Sequence, residues 1–421
     1  MKLFPHQMDG VTYLREKRYA ILGDGMGLGK TVTALAALES QRAVVVTPAA
    51  LKEIWAMELS AKFPHLSFEI LSSRSRIQDY NKILIVNYEI ISNFPLLFKN
   101  AHTVIADEAH YLKNMKSKRT KNFLSFIKKH RPQCLFLLTG TPIKNHVPEI
   151  YSLLVLCSFV PDSTNGISVK DEYPNQTRFN DALCFVRTKR IGGMMLQEWY
   201  GLKDVARLEE LLRGKYIARR LEDVVKLPPL EEHFAQVAKI SRDLELRDAF
   251  QKYQTGRSVP SPVKVQTAIE KVQFTVPLVK RLLKENPGES FVIFSDHTEP
   301  VRLIHAALNQ DDDVGYITGS VPIPKRNELI SNFQHGVIEV LVCTIGSAGT
   351  GVTLTASTTV IFNDCPWVPG DLAQAKKRIH RIGQTHPCAV YFVTAPGFDT
   401  RIMETLNQKS KIISEALGYG S

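Results

Sequence analysis

Residues 19–39 read YAILGDGMGLGKTVTALAALE and join an apolar strand, a glycine-rich loop and a helical pattern. Glycines let a backbone wrap closely around phosphate with its N–H groups pointing inward, and a helix amino end adds partial positive charge. We therefore predict a phosphate-binding loop in which Lys30 contacts the β- and γ-phosphates and Thr31 binds Mg²⁺. The alternative is a glycine-rich turn that happens to end in Lys-Thr, because Asp24 stands where the common pattern has glycine.

Short apolar runs that alternate with helical patterns predict an α/β fold. Near-continuous apolar strands suit a parallel sheet with helices on both faces, and ligands then bind at the carboxyl ends of the strands. The predicted strands are Tyr19–Leu22, Ala43–Thr47, Ile83–Asn87, Thr103–Ala106, Leu135–Thr139, Phe291–Ser295, Val340–Thr344, Val360–Asn363 and Ala389–Val393.

The strand rhythm stops after about residue 148 and returns near residue 290, which predicts two lobes. Lobe 1 covers residues 1–226 and includes a mostly helical insertion at about 148–226. Lobe 2 covers residues 227–421, starting at Leu227-Pro228-Pro229 with an inter-lobe segment to about residue 265. The last residues, from about 399 to 421, have the spacing of a terminal helix.

Charge and cysteine content narrow the function classes. The chain has 421 residues with a formal charge of +11, which suits a polyanionic partner such as nucleic acid, although a basic but non-binding surface would explain the charge equally well. Six cysteines without a C-x-x-C pair indicate no metal cluster and no disulfide framework, so we expect a reducing compartment, cytoplasmic or nuclear. The start MKLFPHQMDG lacks a signal-peptide core, and no apolar run reaches the roughly 18 residues that span a membrane.

An acidic pair, Asp107-Glu108, directly follows the predicted strand that ends at Ala106. A carboxylate at a strand tip can hold Mg²⁺ through water, and its neighbour can orient or deprotonate an attacking water. The alternative is a helix start with acidic residues in its first turn. Leu138–Pro142 (LTGTP) ends the next strand and can sense a γ-phosphate, unless it is a simple turn.

In the second half, Arg378 and Arg381 lie three residues apart in QAKKRIHRIGQ, residues 374–384. On a helix that spacing places both guanidinium groups on one face, where they can stabilise charge on a departing phosphoryl group. The alternative is a solvated basic helix. Residues 346–355 (GSAGTGVTLT) offer small and hydroxyl side chains for close approach to phosphate, or else form a flexible loop.

The order of these motifs resembles superfamily-two helicases: DGMGLGKT, VVVTPAALKEIWAMEL, ILIVNYEII, DEAH, LTGTPIKN, AGTGVTLTAS and QAKKRIHRIGQ. DxMGLGKT and RIHRIGQ are particular to the Swi/Snf-family ATPases, and the resemblance covers roughly residues 3–405. It implies two RecA-like lobes with ATP and Mg²⁺ between them, DNA-stimulated ATP hydrolysis and movement along a duplex. Within the family, FSDHTEPVRLI looks closest to the annealing-helicase branch, which rewinds or remodels forked DNA.

The resemblance assigns roles residue by residue. Catalytic roles fall on Lys30, Glu108, Arg378 and Arg381, and Mg²⁺ on Thr31 and Asp107. The expected ATP contacts are Gln7, which resembles the adenine-recognising motif, Asp24, Gly25, Met26, Gly27, Leu28, Gly29, Lys30, Thr31, Asp107, Gly351 and Gln374. The expected DNA contacts are Thr47, Pro48, Lys52, Lys113, Thr318, Ser320, Ser347, Thr350 and Trp367.

Three departures from the family pattern bear on function. Gly25 stands where glutamate is usual, Lys376-Lys377 precede Arg378 where an acidic residue is common, and no chromatin-reading segment is visible. We therefore expect a compact motor on duplex or branched DNA with little sequence specificity, in which Trp367 is either a wedge or a packed aromatic. The alternatives are an RNA-directed helicase, a motor that displaces proteins from DNA within a complex, or a non-enzymatic DNA clamp.

Overall fold

The computed structural model describes residues 2–159, 167–191, 194–237, 261–309, 313–347, 352–395 and 398–418. The chain forms two compact units. Unit 1 comprises Met1–Arg187, Trp199–Val225 and Lys411–Ser421, and unit 2 comprises Thr188–Glu198 and Lys226–Ser410. The predicted domain boundary at residue 226 stays a prediction.

The strands of the described residues are β1 Tyr19–Leu22, β2 Ala43–Thr47, β3 Phe68–Ile70, β4 Ile83–Asn87, β5 Thr103–Asp107, β6 Cys134–Leu138, β7 Phe185–Ile191, β8 Met194–Tyr200, β9 Tyr216–Ile217, β10 Leu230–Gln236, β11 Ser290–Ser295, β12 Val314–Ile317, β13 Val340–Thr344, β14 Ser357–Phe362 and β15 Cys388–Thr394. The α-helices are α1 Pro5–Lys17, α2 Lys30–Ala36, α3 Lys52–Lys62, α4 Lys118–His130, α5 Tyr151–Cys157, α6 Val169–Glu172, α7 Gln176–Leu183, α8 Val205–Leu212, α9 Leu221–Val224, α10 Ser261–Glu285, α11 Thr298–Leu308, α12 Ile323–Gln334, α13 Pro369–Lys376 and α14 Phe398–Ala416. Short 3₁₀ turns lie at Ala49–Leu51, Ile91–Asn93, Ala109–Leu112 and Val147–Ile150.

Unit 1 is built on a parallel sheet in the order β3-β4-β2-β5-β6-β1-β9. Successive strand residues face opposite sides, so Val44 and Val46 enter one core while Val45 enters the other. Helices α1, α2 and α3 cover the side that receives Val45, and α4 and α5 cover the opposite side. Burial on both sides explains why these strands read as continuous apolar runs.

Unit 2 repeats the parallel arrangement in the order β10-β15-β14-β11-β13-β12. Its core includes Phe291, Ile293, Val342 and Phe392 from the sheet and Val301 from α11. The predicted fold class, α/β with two mostly parallel sheets flanked by helices, is confirmed by these two sheets.

The predicted strands all occur, with ends displaced by a few residues. The strands that the apolar runs did not reveal include β3, β9, β10 and β12, and each of these lies at the edge of its sheet. An edge strand buries less surface, so it needs no continuous apolar run; most of β10 is exposed or half-buried.

The structure adds detail to two connecting segments. The stretch at 148–226, predicted as mostly helical, also contains strands, since β7 and β8 form a two-stranded sheet and β9 joins the unit 1 sheet. The terminal helix starts at Phe398 and ends at Ala416, and residues Lys411–Ser421 belong to unit 1 rather than unit 2. Ile412 and Ile413 pack against the core of unit 1.

Candidate functional site

The glycine-rich loop joins β1 to α2, as the sequence predicts. Gly27 and Gly29 have φ angles of 92° and 78°, which lie in the left-handed region that favours glycine. Lys30 Nζ donates hydrogen bonds to the carbonyl oxygens of Asp24 at 2.9 Å and Gly25 at 3.4 Å. The Lys30 ammonium group thus lies against the backbone carbonyls of the loop itself, and Thr31 follows as the second residue of α2.

Asp24 is completely buried, and its carboxylate binds Arg219. Arg219 Nε lies 2.8 Å from Asp24 Oδ1 and Arg219 Nη2 lies 2.7 Å from Oδ2, while the Arg219 N–H also donates to Oδ1 at 3.1 Å. This two-pronged ion pair ties the loop to the segment after β9. Because Arg219 binds the Asp24 carboxylate, the expected contact of residue 24 with ATP would involve its backbone and not its side chain. The sequence did not reveal Arg219 as the partner of Asp24 because 195 residues separate the two.

The same segment accounts for Gly25. The Gly25 N–H donates to the Arg219 carbonyl at 2.8 Å. A Cβ at residue 25 would lie 3.1 Å from the backbone nitrogen of Leu221, closer than ordinary van der Waals contact. Glycine at this position thus fits the close approach of residues 219–221, where the family pattern has glutamate.

Gln7 lies on α1 and packs against the phosphate loop. Its side-chain amide donates to the Leu28 carbonyl at 3.2 Å and accepts from the Phe4 N–H at 3.1 Å. A Cβ on Gly29 would come within 2.4 Å of Gln7 Nε2, so this glycine allows the contact. The structure brings Gln7 to the loop, and its contact with adenine stays a prediction.

Asp107 ends β5, and three hydrogen bonds hold its buried carboxylate. Its Oδ2 accepts hydrogen bonds from Thr47 Oγ1 at 3.0 Å and Trp55 Nε1 at 2.7 Å, and its Oδ1 accepts from the Glu108 N–H at 2.9 Å. Burial, together with the neighbouring Glu108 charge, raises the pKa of Asp107 to about 6, although hydrogen bonds from Trp55 and Thr47 and the charge of Lys30 oppose the shift.

The oxygen donors of Thr31 and Asp107 are the hard ligands that Mg²⁺ prefers. Asp107 Oδ1 accepts one backbone hydrogen bond and keeps a further lone pair. Burial and the neighbouring Glu108 charge both disfavour the ionised form of Asp107, and a divalent cation beside the carboxylate would favour that form. These residues therefore fit the ion that the family implies.

Glu108 adopts a left-handed backbone conformation, with φ at 48°. Such a conformation is costly for a residue with a side chain and concentrates at functional sites. It directs Glu108 Oε2 to 3.2 Å from His110 Nδ1, and the same nitrogen lies 3.2 Å from Thr139 Oγ1. The Thr141 N–H donates to Thr139 Oγ1 at 3.1 Å, so hydrogen bonds connect DEAH with LTGTP.

The expected DNA contacts of unit 1 have partners within the protein. Thr47 is fully buried and donates to Asp107, which corrects its assignment to DNA. Lys52 Nζ donates to the Leu71 carbonyl at 2.9 Å, and Lys113 Nζ lies 2.7 Å from Glu149 Oε1. Pro48 is buried before a 3₁₀ turn. The sequence did not reveal these partners, because Asp107, Leu71 and Glu149 are all distant in the chain from the residues that they contact.

In unit 2 the expected helix around the two arginines ends early. Helix α13 stops at Lys376, so Arg378 and Arg381 lie in turns and share no helix face. Arg378 is 5% exposed and donates to the Val352 carbonyl at 3.1 Å. Arg381 is half-buried, and burial lowers its pKa. Gln374 is buried on α13.

Gln384 holds this turn together, although its position in the sequence predicted no role for it. Its Nε2 donates to the carbonyls of Ser357 at 3.0 Å and of Thr355 and Ile379 at 3.3 Å each. Its Oε1 accepts from the Thr385 N–H at 3.0 Å. The last residue of RIHRIGQ is therefore structural, and a glutamine with so many backbone partners gave no signal in the sequence.

The expected DNA contacts of unit 2 differ in exposure. Thr318 is buried and its hydroxyl lies 2.9 Å from that of the exposed Ser320, while Ser347 Oγ accepts from Thr344 Oγ1 at 2.6 Å. Trp367 packs against the unit 2 core with the Lys264 ammonium 3.9 Å from its ring centre, which favours a packed aromatic. Thr350 and Gly351 lie outside the described residues.

A protein-family comparison identifies the chain. The model of the SNF2-related domain matches residues 6–257, more than half of the sequence. The chain belongs to the SNF2-related family. A second model, the helicase conserved C-terminal domain, matches residues 275–383 of this SNF2-related chain. The resemblance to Swi/Snf-family ATPases is thereby confirmed.

Curated relatives of the SNF2-related chain include three kinds of protein. The DNA annealing helicase and endonuclease ZRANB3 of Bos taurus is 26% identical over 99% of this chain and 40% of the relative. The SWI/SNF-related matrix-associated actin-dependent regulator of chromatin subfamily A-like protein 1 of Xenopus laevis is 27% identical over 98% and 44%. The chromodomain-helicase-DNA-binding protein 1-like of Danio rerio is 27% identical over 92% and 41%. The chain thus spans less than half the length of these relatives.

Among solved structures, the Sulfolobus solfataricus SWI2/SNF2 ATPase core in complex with dsDNA matches 99% of this chain and 94% of that chain, at 21% identity and a TM-score of 0.42. None of the described helices combines the length and apolarity needed to cross a membrane. All six cysteines are free thiols and buried.

Proposed function

We propose that this SNF2-related chain is an ATP-dependent DNA translocase or helicase that moves on duplex or branched DNA. One observation carries the proposal: the phosphate loop and the two motifs DEAH and LTGTP meet at the carboxyl edge of the unit 1 sheet. A Cβ on Gly140 would lie 3.3 Å from Lys30 Nζ, and Glu108 reaches Thr139 through His110. A loop that binds phosphate, an acid and a sensing hydroxyl in one place suit nucleotide hydrolysis.

In this proposal the residues of unit 1 divide the work. Lys30 leaves its carbonyl partners to bind the β- and γ-phosphates, and Thr31 and Asp107 hold Mg²⁺, which supplies charge neutralisation when bound. Glu108 orients the attacking water and takes its proton, because its strained backbone already aims the carboxylate. Thr139 then passes the change at the γ-phosphate to the loop that starts at Gly140.

The remaining assignments are proposals that rest on the motif order. Arg381 stabilises charge on the phosphoryl group during hydrolysis, which suits a half-buried guanidinium that remains protonated. Gln7 contacts adenine. The motif order gives Arg378 a catalytic role and Gln374 a nucleotide contact, whereas the burial of both residues suits support of the turn that contains Arg381, and this is the role we propose for them. Gly351 is assigned to the nucleotide from its motif alone.

DNA is the proposed track because three relatives carry DNA or chromatin in their names and the chain has a charge of +11. We propose contacts mainly with phosphates, hence little sequence specificity and a strong dependence on salt. The proposed compartment is the cytoplasm or the nucleus. Rewinding or remodelling of forks is the activity we favour, since it agrees with the annealing helicase among the relatives.

The test is ATPase activity measured with single-stranded, duplex, forked and four-way DNA and with RNA, followed by strand-displacement and annealing assays on the same DNA. Duplex or branched DNA should stimulate hydrolysis, whereas Lys30→Ala should show none. Equal activity with forked and plain duplex DNA would remove the preference for branched substrates. Stimulation by RNA above duplex DNA would instead favour an RNA-directed helicase, and hydrolysis that no nucleic acid stimulates would contradict the proposal.

A further inference from the structure

We propose that Glu39, His102 and Cys134 bind a divalent transition-metal ion of the zinc class at the amino-terminal ends of β5 and β6 in unit 1. The three residues each offer one ligand atom, a carboxylate oxygen, an imidazole nitrogen and a thiol sulfur, and these atoms all lie within 4.8 Å of one another. Glu39 Oε2 is 4.0 Å from His102 Nε2. Ligands of a tetrahedral zinc ion are separated by about 3.5 Å, so small side-chain rotations complete the geometry.

The backbone holds two of the three ligands in a fixed relation. His102 directly precedes β5 and Cys134 begins β6, and the Cys134 N–H donates to the His102 carbonyl at 3.0 Å. The His102 N–H in turn donates to the Arg42 carbonyl at 2.7 Å. Sites built on a sheet are held more firmly than sites on loops, so the sulfur and the imidazole are preorganised.

Thr103 supplies the outer contact that a metal-binding histidine requires. Its hydroxyl lies 3.1 Å from His102 Nδ1 and also hydrogen-bonds to Cys134. A neutral His102 that donates from Nδ1 to the Thr103 hydroxyl has its Nε2 lone pair on the side of Glu39, where it can bind a metal ion.

Metal ions can reach this cluster. The Cys134 side chain is buried at 3% exposure, yet the Glu39 side chain is 49% exposed and Glu39 also lines a surface cavity of about 460 Å³. The 4.0 Å between Glu39 Oε2 and His102 Nε2 is too long for a direct hydrogen bond, so the pair gains little without an ion between them. The sequence predicted no metal cluster because the three ligands are separated by 63 and 32 residues, a spacing that matches no linear zinc motif.

The position of the cluster indicates what the ion does. Glu39 follows α2, which begins with Lys30, and β5 and β6 lead from the cluster to Asp107 and the LTGTP loop at their other ends. A bound ion would therefore link the segment after α2 to the amino-terminal ends of β5 and β6. The opposite ends of these three elements carry the phosphate-site motifs. Its expected effect is to stabilise unit 1, and the site does not rest on the proposed function.

The experiment uses the full chain, reduced and treated with chelator, and titrates it with Co²⁺ and with Zn²⁺ in separate arms. Co²⁺ bound to a thiolate shows ligand-to-metal charge-transfer absorption, which Mg²⁺-type oxygen sites do not give. We expect one equivalent to produce this absorption and Zn²⁺ to displace it and raise the melting temperature. Cys134→Ala should lose the absorption, and His102→Gln and Glu39→Gln should weaken binding more than about tenfold.

Matched controls keep the result decisive. Cys184→Ala removes an equally buried thiol of unit 1, and His130→Gln removes a half-buried imidazole, as His102→Gln does, so neither should change binding. Glu39→Gln alters an exposed side chain and leaves folding intact, which the melting curve of the metal-free variant checks. Absorption that persists in Cys134→Ala, no absorption in the natural chain, or unchanged affinity in Glu39→Gln would each overturn the proposed site. The ATPase assay remains a separate readout.

Discussion

The motif residues of unit 1 bond to one another, whereas those of unit 2 bond mainly to backbone. In unit 1, Glu108, His110 and Thr139 form a chain of side-chain contacts beside Lys30. In unit 2, Arg378 donates to Val352 and Gln384 donates to three carbonyls. The difference indicates that hydrogen bonds between side chains preorganise the motifs of unit 1, while hydrogen bonds to backbone carbonyls stiffen the turn of unit 2 that contains Arg381.

Arg381→Ala breaks this comparison most strongly. We expect ATP turnover to fall about a thousandfold or more, as for other arginines that stabilise a departing phosphoryl group, with little change in thermal unfolding. Steady-state ATPase with duplex DNA measures the first quantity and calorimetry the second. Arg302→Ala, an exposed arginine of unit 2, is the control. Turnover that survives in Arg381→Ala would mean that Arg381 is not such a group.

Glu108→Gln tests the chemical site of unit 1. Hydrolysis should fall by a factor of about a hundred to ten thousand while ATP binding is retained, because the amide keeps the shape but cannot accept a proton. Single-turnover hydrolysis and a nucleotide-binding titration separate the two effects. The exposed Glu89→Gln should behave like the natural chain. If Glu108→Gln hydrolyses ATP normally, the assignment of the general base is wrong.

Arg219→Ala tests how firmly the phosphate loop is anchored. It leaves the buried Asp24 carboxylate without its ion-pair partner, so we expect a loss of about 3–5 kcal/mol in the free energy of unfolding of unit 1. Chemical denaturation measures this loss. The adjacent Arg220, whose side chain is 48% exposed, gives the matched control Arg220→Ala. Equal stability of the two variants would show that the Asp24–Arg219 pair does not anchor the loop.

Asp107→Asn tests the site of unit 1 through the pH dependence of protein stability. Because burial raises the pKa of Asp107 to about 6, the folded chain binds this proton more tightly than the unfolded chain does. The natural chain should therefore lose up to about 3 kcal/mol of stability as pH rises from the ordinary aspartate range to about 6, with no further loss above it. Melting temperatures in chelator should show Asp107→Asn gaining on the natural chain across that window. A constant difference would contradict the raised pKa.

The sequence predicted central strands and motif positions well, for physical reasons. Strands such as β2 and β13 are buried on both faces and must be apolar, and strand tips must converge at one sheet edge. The edge strands were not predicted, because an edge strand buries less surface and needs no continuous apolar run. The helix expected around Arg378 ends at Lys376, since local spacing could not reveal that Gln384 fixes a turn there. Long-range partners, such as Arg219 for Asp24 or Trp55 for Asp107, leave no local pattern.

The bond between Asp24 and Arg219 also sets an order of events during synthesis. The two residues are 195 positions apart, so most of unit 1 leaves the ribosome before the Asp24 carboxylate can find its partner. A nascent chain that ends before residue 216 thus lacks both the anchor of its phosphate loop and the neighbouring edge strand β9. We expect the loop to reach its final form only after most of unit 1 has been made.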